Sequence, residues 1–317
     1  MVAPRRLPAS LYWQAVREIV PVDTVRDLLD SAGARYRTHG SDRGLVGASA
    51  AIAWPGGHPT WELLAYRSPG REGEPRRIDP ASVRAAQARH PSLFLCHDPR
   101  TRRILVAPHT PCPILYGLRA TDPRSPVRAR RSIRSERVDR WMLFRTNQAT
   151  GDHLAHRSIA EIRPYSAAIV DGLVAAVPEV LPGGHVRLTV TDGSGPPLDC
   201  LAFEPTKTLP RVARTLEVGD RVRLWGSRAE DPLLRLEGLT LLRVRPRYAP
   251  LRAPRCPDCG RRTRSLGTLR GYRCPACRRR WPPESAARSR RAPEFPRGVY
   301  HPTPSARRHL APRGPEP

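Results

Sequence analysis

Lysine is almost missing from this 317-residue chain: of 55 basic residues only Lys207 is a lysine, so the basicity is carried by arginine. Arginine forks suit bidentate phosphate contacts and stacking on bases. GC-rich coding, to which abundant proline and alanine also point, explains the arginine excess equally well, but a net charge of +26 still calls for a polyanionic partner. No apolar run reaches the roughly 18 residues of a membrane span, and no signal peptide precedes the first apolar-periodic stretch. The expectation is a soluble, cytoplasmic protein with no membrane partner. Familiar catalytic sets are absent as well: there is no nucleophile and base pair, no histidine-rich metal triad and no Asp-rich magnesium motif. Gly40 to Gly47 is glycine-rich ahead of a helical stretch, where phosphate can sit on free amides. It lacks the Lys-Ser or Lys-Thr of a phosphate loop, and close helix packing explains it equally well.

What the chain does have is four cysteines in two C-x-x-C pairs, Cys256 with Cys259 and Cys274 with Cys277, separated by 14 residues. That spacing closes on one tetrahedral zinc, and Gly260 follows the second thiolate, where a tight knuckle must turn amides toward sulfur. A four-sulfur site has no open coordination position, so the metal holds structure. A disulfide pair or a redox C-x-x-C fits less well in a compartment that keeps thiols reduced. Cys96, Cys112 and Cys200 are isolated and read as small buried side chains. Charge is concentrated near the zinc module: from Arg243 onward 20 arginines stand against four acids, leaving +16.

The length allows two or three compact units, and the fold class is multidomain α+β. Leu11 to Val20 is a helix stopped by Pro21, Asp23 caps a second that ends near Gly33, and Gly44 to Ala53 forms a third. Trp61–Arg67, Leu93–His97, Ile104–Ala107, Ile114–Arg119 and Trp141–Arg145 are short apolar runs, with helical Ala81–His90 among them. Beyond Pro164 come strands at Ser166–Val177, Val186–Thr191 and Leu198–Phe203, a helix at Thr208–Leu216, then strands at Arg221–Trp225 and Leu233–Leu242. Three strands, a helix and two strands is the order of an OB-fold barrel. Pro282 to Pro317 has nine prolines in 36 residues and almost no aliphatic side chains, which predicts a disordered basic tail.

An OB fold beside a basic zinc module is a recurring way to hold RNA or single strands. Arg261, Arg262, Arg264, Arg270, Arg273 and Tyr272 lie inside the zinc loop, where the metal would orient them; a solvated charge run is the plainer alternative. Phe144 to Leu154 is the densest polar stretch. Arg145, Asn147, Gln148, Thr150 and His153 there can bond base edges or sugars, and a hydrogen-bonded interdomain linker is the competing reading.

Several of these motifs together resemble the archaeal tRNA(Ile) 2-agmatinylcytidine synthetases. The resemblance is carried by Phe144–Leu154, by Gly183–Val186 through Ala202–Lys207, and by Cys256–Cys277 with Gly271-Tyr272-Arg273-Cys274. Arg43–Ala48 and Trp61–Arg67 add to it, so that it runs from about Leu11 to Arg280. Those enzymes use ATP to join agmatine to the wobble cytidine of the isoleucine tRNA with a CAU anticodon. The resemblance implies a remnant of a kinase-like catalytic domain at 1–57 and a ferredoxin-like domain at 58–160. An OB fold at 164–245 and a zinc ribbon at 250–281 would follow, then the tail at 282–317. It implies tRNA as partner, contacted by the residues named above and by Lys207, with Arg43, Gly44, Gly47, Glu62, Tyr66 and Arg67 toward a domain interface or the agmatine side. Family members begin with an Asp-rich segment that carries the nucleotide chemistry, and nothing like it precedes Leu11. ATP and Mg2+ would therefore enter through a missing catalytic domain or a separate catalytic subunit. Two departures stand out: Ala149 where the family tends to have Gly, and Cys112 where it tends to have Asp. A non-enzymatic OB-fold and zinc-ribbon RNA binder is the alternative.

Overall fold

The computed structural model describes residues 6–250, 252–267, 269–286 and 288–313. The chain divides into two compact units, residues 1–242 together with 298–317, and residues 243–297.

Three helices open the first unit: α1 (Ala9–Arg17), α2 (Val22–Ser31) and α3 (Arg43–Ala53). Pro8 and Pro21 occupy the N-cap positions of α1 and α2 with extended backbone, so proline starts these helices as well as stopping them. Asp23 is not the cap expected of it: it lies in the first turn of α2 and pairs with Arg26 at 2.6 Å. Leu11, Tyr12, Val25, Leu29, Leu45 and Ala50 bury one another where the three helices meet.

A four-stranded sheet follows, built from β1 (Thr60–Tyr66), α4 (Pro80–Arg89), β2 (Leu93–Phe94), β3 (Ile114–Ala120), α5 (Arg124–Arg130) and β4 (Arg140–Thr146). The strand order is β2-β3-β1-β4 and every pairing is antiparallel. Asp79 caps α4 by accepting from the Ala81 amide at 2.9 Å, with Pro80 in the first turn. Strand alternation puts Leu63, Ala65, Tyr116 and Leu118 in a core with Val83, Ala86 and Ala129 of the helices. Glu62 and Leu64 then share the opposite face with Gly117 and Arg119, their register partners on β3. α5 carries no periodic signal, because Arg124-Ser-Pro-Val-Arg-Ala-Arg has no apolar repeat; Asp122 starts it by accepting from the Arg124 and Ser125 amides, both at 2.9 Å. Ile104–Ala107 forms only a bridge at Ile104 with His97.

The second sheet closes on itself. Its strands are β5 (Ala167–Val174), β6 (Glu179–Val180), β7 (Val186–Thr191), β8 (Leu198–Ala202), β9 (Arg221–Arg228) and β10 (Leu234–Arg243), with α6 (Thr208–Ala213) between β8 and β9. Neighbours run β10-β8-β7-β5-β9, β9 pairs again with β10, and β8 lies parallel to β10. The result is a five-stranded barrel with β6 added on β7. Two glycines make the closure possible. A Cβ on Gly226 would stand 2.1 Å from the Arg235 carbonyl, and one on Gly238 would stand 2.1 Å from the ring of Trp225, which is fully buried.

The second unit holds β11 (Arg247–Pro250) paired with β15 (Arg288–Arg291), and a small sheet of β12 (Arg264–Ser265), β13 (Tyr272–Arg273) and β14 (Arg280–Trp281). The chain then returns to the barrel as β16 (Gly298–Tyr300), antiparallel to β10 at Leu239–Leu241. The disordered tail is therefore corrected as far as residue 313; residues 314–317 lie outside the described residues. Order comes from backbone pairing and polar anchors rather than from aliphatic burial. The Ala149 and Gly151 amides donate to the carbonyls of His309 and Leu310 at 2.7 and 2.9 Å, Thr303 donates to Thr206 at 3.1 Å, and the Ser305 hydroxyl donates to buried Asp98 at 2.8 Å. Residues 302–313 form a strap joining barrel and sheet. No helix among the described residues is long and apolar enough to cross a membrane.

Candidate metal centre and nucleic-acid interface

The sulfurs of Cys256, Cys259, Cys274 and Cys277 lie within 4.8 Å of one another. Tetrahedral zinc with bonds of about 2.3 Å would set thiolates about 3.8 Å apart, so the donor set fits that ion. Two copies of one turn present the sulfurs. In the first, the Cys256 carbonyl accepts from Gly260 at 2.8 Å and its amide donates to Arg261 at 2.8 Å; in the second, the Cys274 carbonyl accepts from Arg278 at 3.0 Å and its amide donates to Arg279 at 2.9 Å. Gly260 and Arg278 hold equivalent places with φ of +69° and +59°. Glycine takes that conformation freely, whereas arginine gives up about 1–2 kcal/mol to adopt it, which marks how firmly the second knuckle is specified. The Cys277 amide points at the Cys274 sulfur from 3.4 Å, and with the Ala276 amide it draws that thiol down to about 7, toward the thiolate a metal needs. Asp258 and Arg279 tie one knuckle to the other at 3.0 Å.

Around this centre Arg261, Arg262, Arg264, Arg270 and Arg273 are exposed, as a phosphate-facing role requires. Register adds what spacing alone does not show: Arg264 lies opposite Arg273, and Arg273 opposite Arg280, across β12, β13 and β14. Like charges directly opposite one another destabilise a sheet. None of these three has an ion-pair partner among the described residues. Tyr272 departs from the expectation. It is 7% exposed, pairs with Trp281 and fills the module's interior, so its ring is not available to stack on a base.

The polar stretch Phe144–Leu154 has spent most of its hydrogen-bonding capacity internally. Arg145 lies over the Trp54 ring at 5.0 Å and donates to the Gly56 carbonyl at 2.8 Å. Asn147 donates to the Tyr12 hydroxyl at 3.0 Å, and that hydroxyl donates to Asp152 at 2.5 Å. Burial first, and then Asp152, pushes the Tyr12 hydroxyl well above its ordinary pKa, so it stays a donor. Gln148 donates to Glu62 at 2.6 Å, and the Thr150 hydroxyl to the Asn147 carbonyl at 2.7 Å. His153, buried, bonds Glu237 of β10 at 2.9 Å. Helices, sheet, barrel and strap thus meet on this one stretch, and the linker reading describes its geometry.

Of the remaining candidates, Arg43, Gly44 and Gly47 lie on α3, and a Cβ on either glycine would meet nothing within 4 Å. Tyr66 carries Arg140 over its ring at 5.1 Å. Glu62 accepts from Arg119 at 3.0 Å besides Gln148, on the wall of a cavity of about 470 Å³ that Pro304, Ser305 and residues 307–309 of the strap help to enclose. Arg67 does not join them. It is fully buried against Glu136 at 2.7 Å and donates to the Glu74 carbonyl at 2.7 Å, so it is a packing residue. Lys207 is held by Glu204 at 2.5 Å. Sequence reasoning missed Glu237 and Arg308, which form a second ion pair at 2.7 Å. An acid at the centre of the apolar run Leu234–Leu242 was the available signal for the first.

Comparison with known proteins gives two matched domains: residues 42–153 match the TiaS FLD domain and residues 253–292 the TiaS C-terminal zinc ribbon domain. The first begins at the start of α3, ahead of the sheet. The chain is 34% identical over 304 residues to the tRNA 2-agmatinylcytidine synthetase TiaS of Methanocaldococcus jannaschii, covering 95% of this chain and 71% of that protein. Among solved structures, a complex of TiaS with isoleucine tRNA and ATP superposes with a TM-score of 0.82 at 32% identity, covering 96% of this chain and 71% of that one. A complex of TiaS with isoleucine tRNA, AMPCPP and agmatine superposes with a TM-score of 0.80 at 30% identity, covering 96% and 71%.

Proposed function

The chain belongs to the tRNA(Ile) 2-agmatinylcytidine synthetase family, and from that premise we propose that it grips tRNA for the ATP-dependent joining of agmatine to the wobble cytidine of the isoleucine tRNA with a CAU anticodon. The observation that carries this reading is the arginine row Arg264, Arg273 and Arg280 on a sheet beside four converging thiolates. Three uncompensated cations set side by side are unfavourable until a polyanion covers them. Zinc, when bound by the four cysteines, fixes the loop that carries these arginines and does no chemistry. Arg261, Arg262 and Arg270 extend the same surface.

The antiparallel β2-β3-β1-β4 sheet with its two helices supports a ferredoxin-like domain. The closed five-stranded barrel, with β8 parallel to β10 and a helix before β9, supports an OB fold. With relatives solved in complex with isoleucine tRNA, ATP and agmatine, the substrates assigned to this chain are that tRNA and agmatine, with ATP and its Mg2+ driving the ligation in the cytoplasm. Glu62, at the cavity on the open face of the sheet, is the acidic group nearest to an agmatine role. Gln148 lines the same cavity, Arg145 stacks on Trp54 away from it, and Asn147, Thr150 and His153 act by holding the domains in register rather than by touching RNA.

The test is competition. Labelled isoleucine tRNA with the CAU anticodon, bound at physiological salt, is displaced by its unlabelled form or by an unrelated tRNA, and incorporation of radioactive agmatine is followed in the presence of ATP. Preference for the isoleucine tRNA together with incorporation supports the reading. Equal affinity for both RNAs with no incorporation replaces it with a non-enzymatic RNA binder, whose phosphate contacts carry no sequence information.

A further inference from the structure

A cavity of about 600 Å³ lies between the C-terminal end of α1, strands β9 and β10 of the barrel, and strap residues 308–310. Its wall contains four arginines, Arg17, Arg228, Arg235 and Arg308, and no carboxylate. Two of the four are neutralised from outside the wall. Asp231 takes Arg235 at 2.7 Å and Glu237 takes Arg308 at 2.7 Å.

Arg17 and Arg228 differ from that pair. Arg17 lies over the Trp13 ring at 4.5 Å and donates its Nε to the Asp152 carbonyl at 3.0 Å. Arg228 donates Nε to the Asp231 carbonyl at 3.0 Å and Nη1 to the Ile162 carbonyl at 2.8 Å. Carbonyl partners fix the two forks without forming an ion pair, although the Asp231 carboxylate held by Arg235 also acts on Arg228, and each fork keeps N–H groups to spare. Fixed cations in a recess with partly desolvated walls focus a positive field there.

At the same wall stands Tyr165, 54% exposed and held at a φ of +59°. A bulky residue in the left-handed region costs free energy, and here the strained turn leaves an aromatic ring beside the basic recess. Arginines that hold phosphate next to a ring that accepts a base are the two parts of a single-strand site. A lone inorganic anion would leave the ring unused.

We infer that this cavity seats a length of RNA backbone, with phosphates on Arg17 and Arg228 and a neighbouring base on Tyr165. The inference rests on the tRNA-binding reading above and adds to the ribbon arginines a second grip that nothing in the zinc module provides. The experiment measures binding of the CAU isoleucine tRNA and of an unrelated tRNA across a series of KCl concentrations, for the full chain and for R17Q, R228Q, the double variant and Y165A. Removing one phosphate partner should lower the slope of log K against log[salt] by about 0.7–0.9, so the double variant should lose about 1.4–1.8. The loss should be equal for both RNAs, because phosphate carries no sequence. Y165A should weaken both RNAs at unchanged slope. R17K and R228K separate charge from structure: they give up the guanidinium geometry and should recover most of the slope.

Unchanged slopes in the glutamine variants overturn the inference. So do lysine variants that behave like the glutamine ones, which would assign the arginines to packing. Tripolyphosphate binding that the glutamine variants abolish while RNA slopes stay the same would make this a lone-anion site and overturn it as well. If the wild-type chain binds no tRNA at low salt, the functional reading and this inference fall together; if it binds and only the slopes fail to move, this inference alone falls.

Discussion

Replacing Glu237 tests whether the strap is held as its geometry implies. The carboxylate sits in the middle of β10, 6% exposed, with one oxygen bonded to His153 and the other accepting from Arg308 of the strap. In E237A the two partners suffer unequally. Arg308, 61% exposed on its side chain, turns to water and loses at most about 1 kcal/mol. His153 cannot do so: it is buried, and its other ring nitrogen has no partner among the described residues. Stranding it costs about 1–3 kcal/mol. The expected loss is therefore about 1–4 kcal/mol by urea denaturation, and E237Q, which keeps an acceptor, should lose less. Hydrogen exchange localises the effect, since the Ala149 and Gly151 amides that donate to the strap should lose protection before the barrel strands do. The pH dependence has a defined sign. Burial by itself would raise the Glu237 carboxyl, but the contacts with His153 and then Arg308 outweigh it and hold the group below the usual range. A depressed carboxyl contributes stability fully above its unfolded value, about 4.3, and loses it as pH falls through the lower folded value. The part of the wild-type advantage over E237Q that rests on this carboxyl should thus shrink as pH falls below about 4. A cost under about 0.5 kcal/mol for E237A, with strap amides protected as before, would refute the latch.

Two further outcomes are expected. C274S should abolish zinc binding and unfold residues 243–297 while the other unit keeps its cooperative transition, because metal binding here is folding energy; retained zinc with unchanged tRNA affinity would contradict it. E136A strands the fully buried guanidinium of Arg67 and should cost about 3–5 kcal/mol in urea unfolding, with tRNA affinity of the folded protein unaltered. A marked loss of agmatine or tRNA binding without loss of stability would return Arg67 to the substrate side.

The parts of the fold that the sequence makes legible are those that one periodicity or one spacing specifies. Two C-x-x-C pairs lead to four sulfurs within a metal's reach, and strand-helix-strand order leads to a closed barrel. Ala149 is a finer case. It adopts a φ of +58°, a left-handed turn that the chain keeps without glycine's freedom. The Ala149 amide and carbonyl both bond the strap, at 2.7 Å to His309 and 3.3 Å to Arg313, which over-determines the strained conformation. What stays illegible is what depends on distant partners. Arg67 and Tyr272 look like functional side chains in a window of ten residues. Glu136, 69 residues on, turns Arg67 inward, whereas Tyr272 turns inward on the pairing of β13 with Trp281 only nine residues on.

The strap shows the same limit more sharply. Proline, arginine and a lack of aliphatic side chains do exclude a hydrophobic core of its own, and residues 302–313 have none. Order does not require one when an edge strand supplies hydrogen bonds and neighbouring domains supply buried acids. β10 offers its edge at Leu239–Leu241 to Gly298–Tyr300 just ahead of the strap, Asp98 and Glu237 offer the strap carboxylates, and proline lowers the entropy lost on docking. Asp98 lies between β2 and β3 and Glu237 on β10 of the barrel, so the strap reports whether sheet and barrel are both assembled. The same twelve residues also contribute to the cavity beside Glu62 and to the basic recess beside Arg17. A segment that cannot fold alone is thereby a wall of both recesses, and losing it should disturb RNA and small-molecule binding together while leaving the zinc module intact.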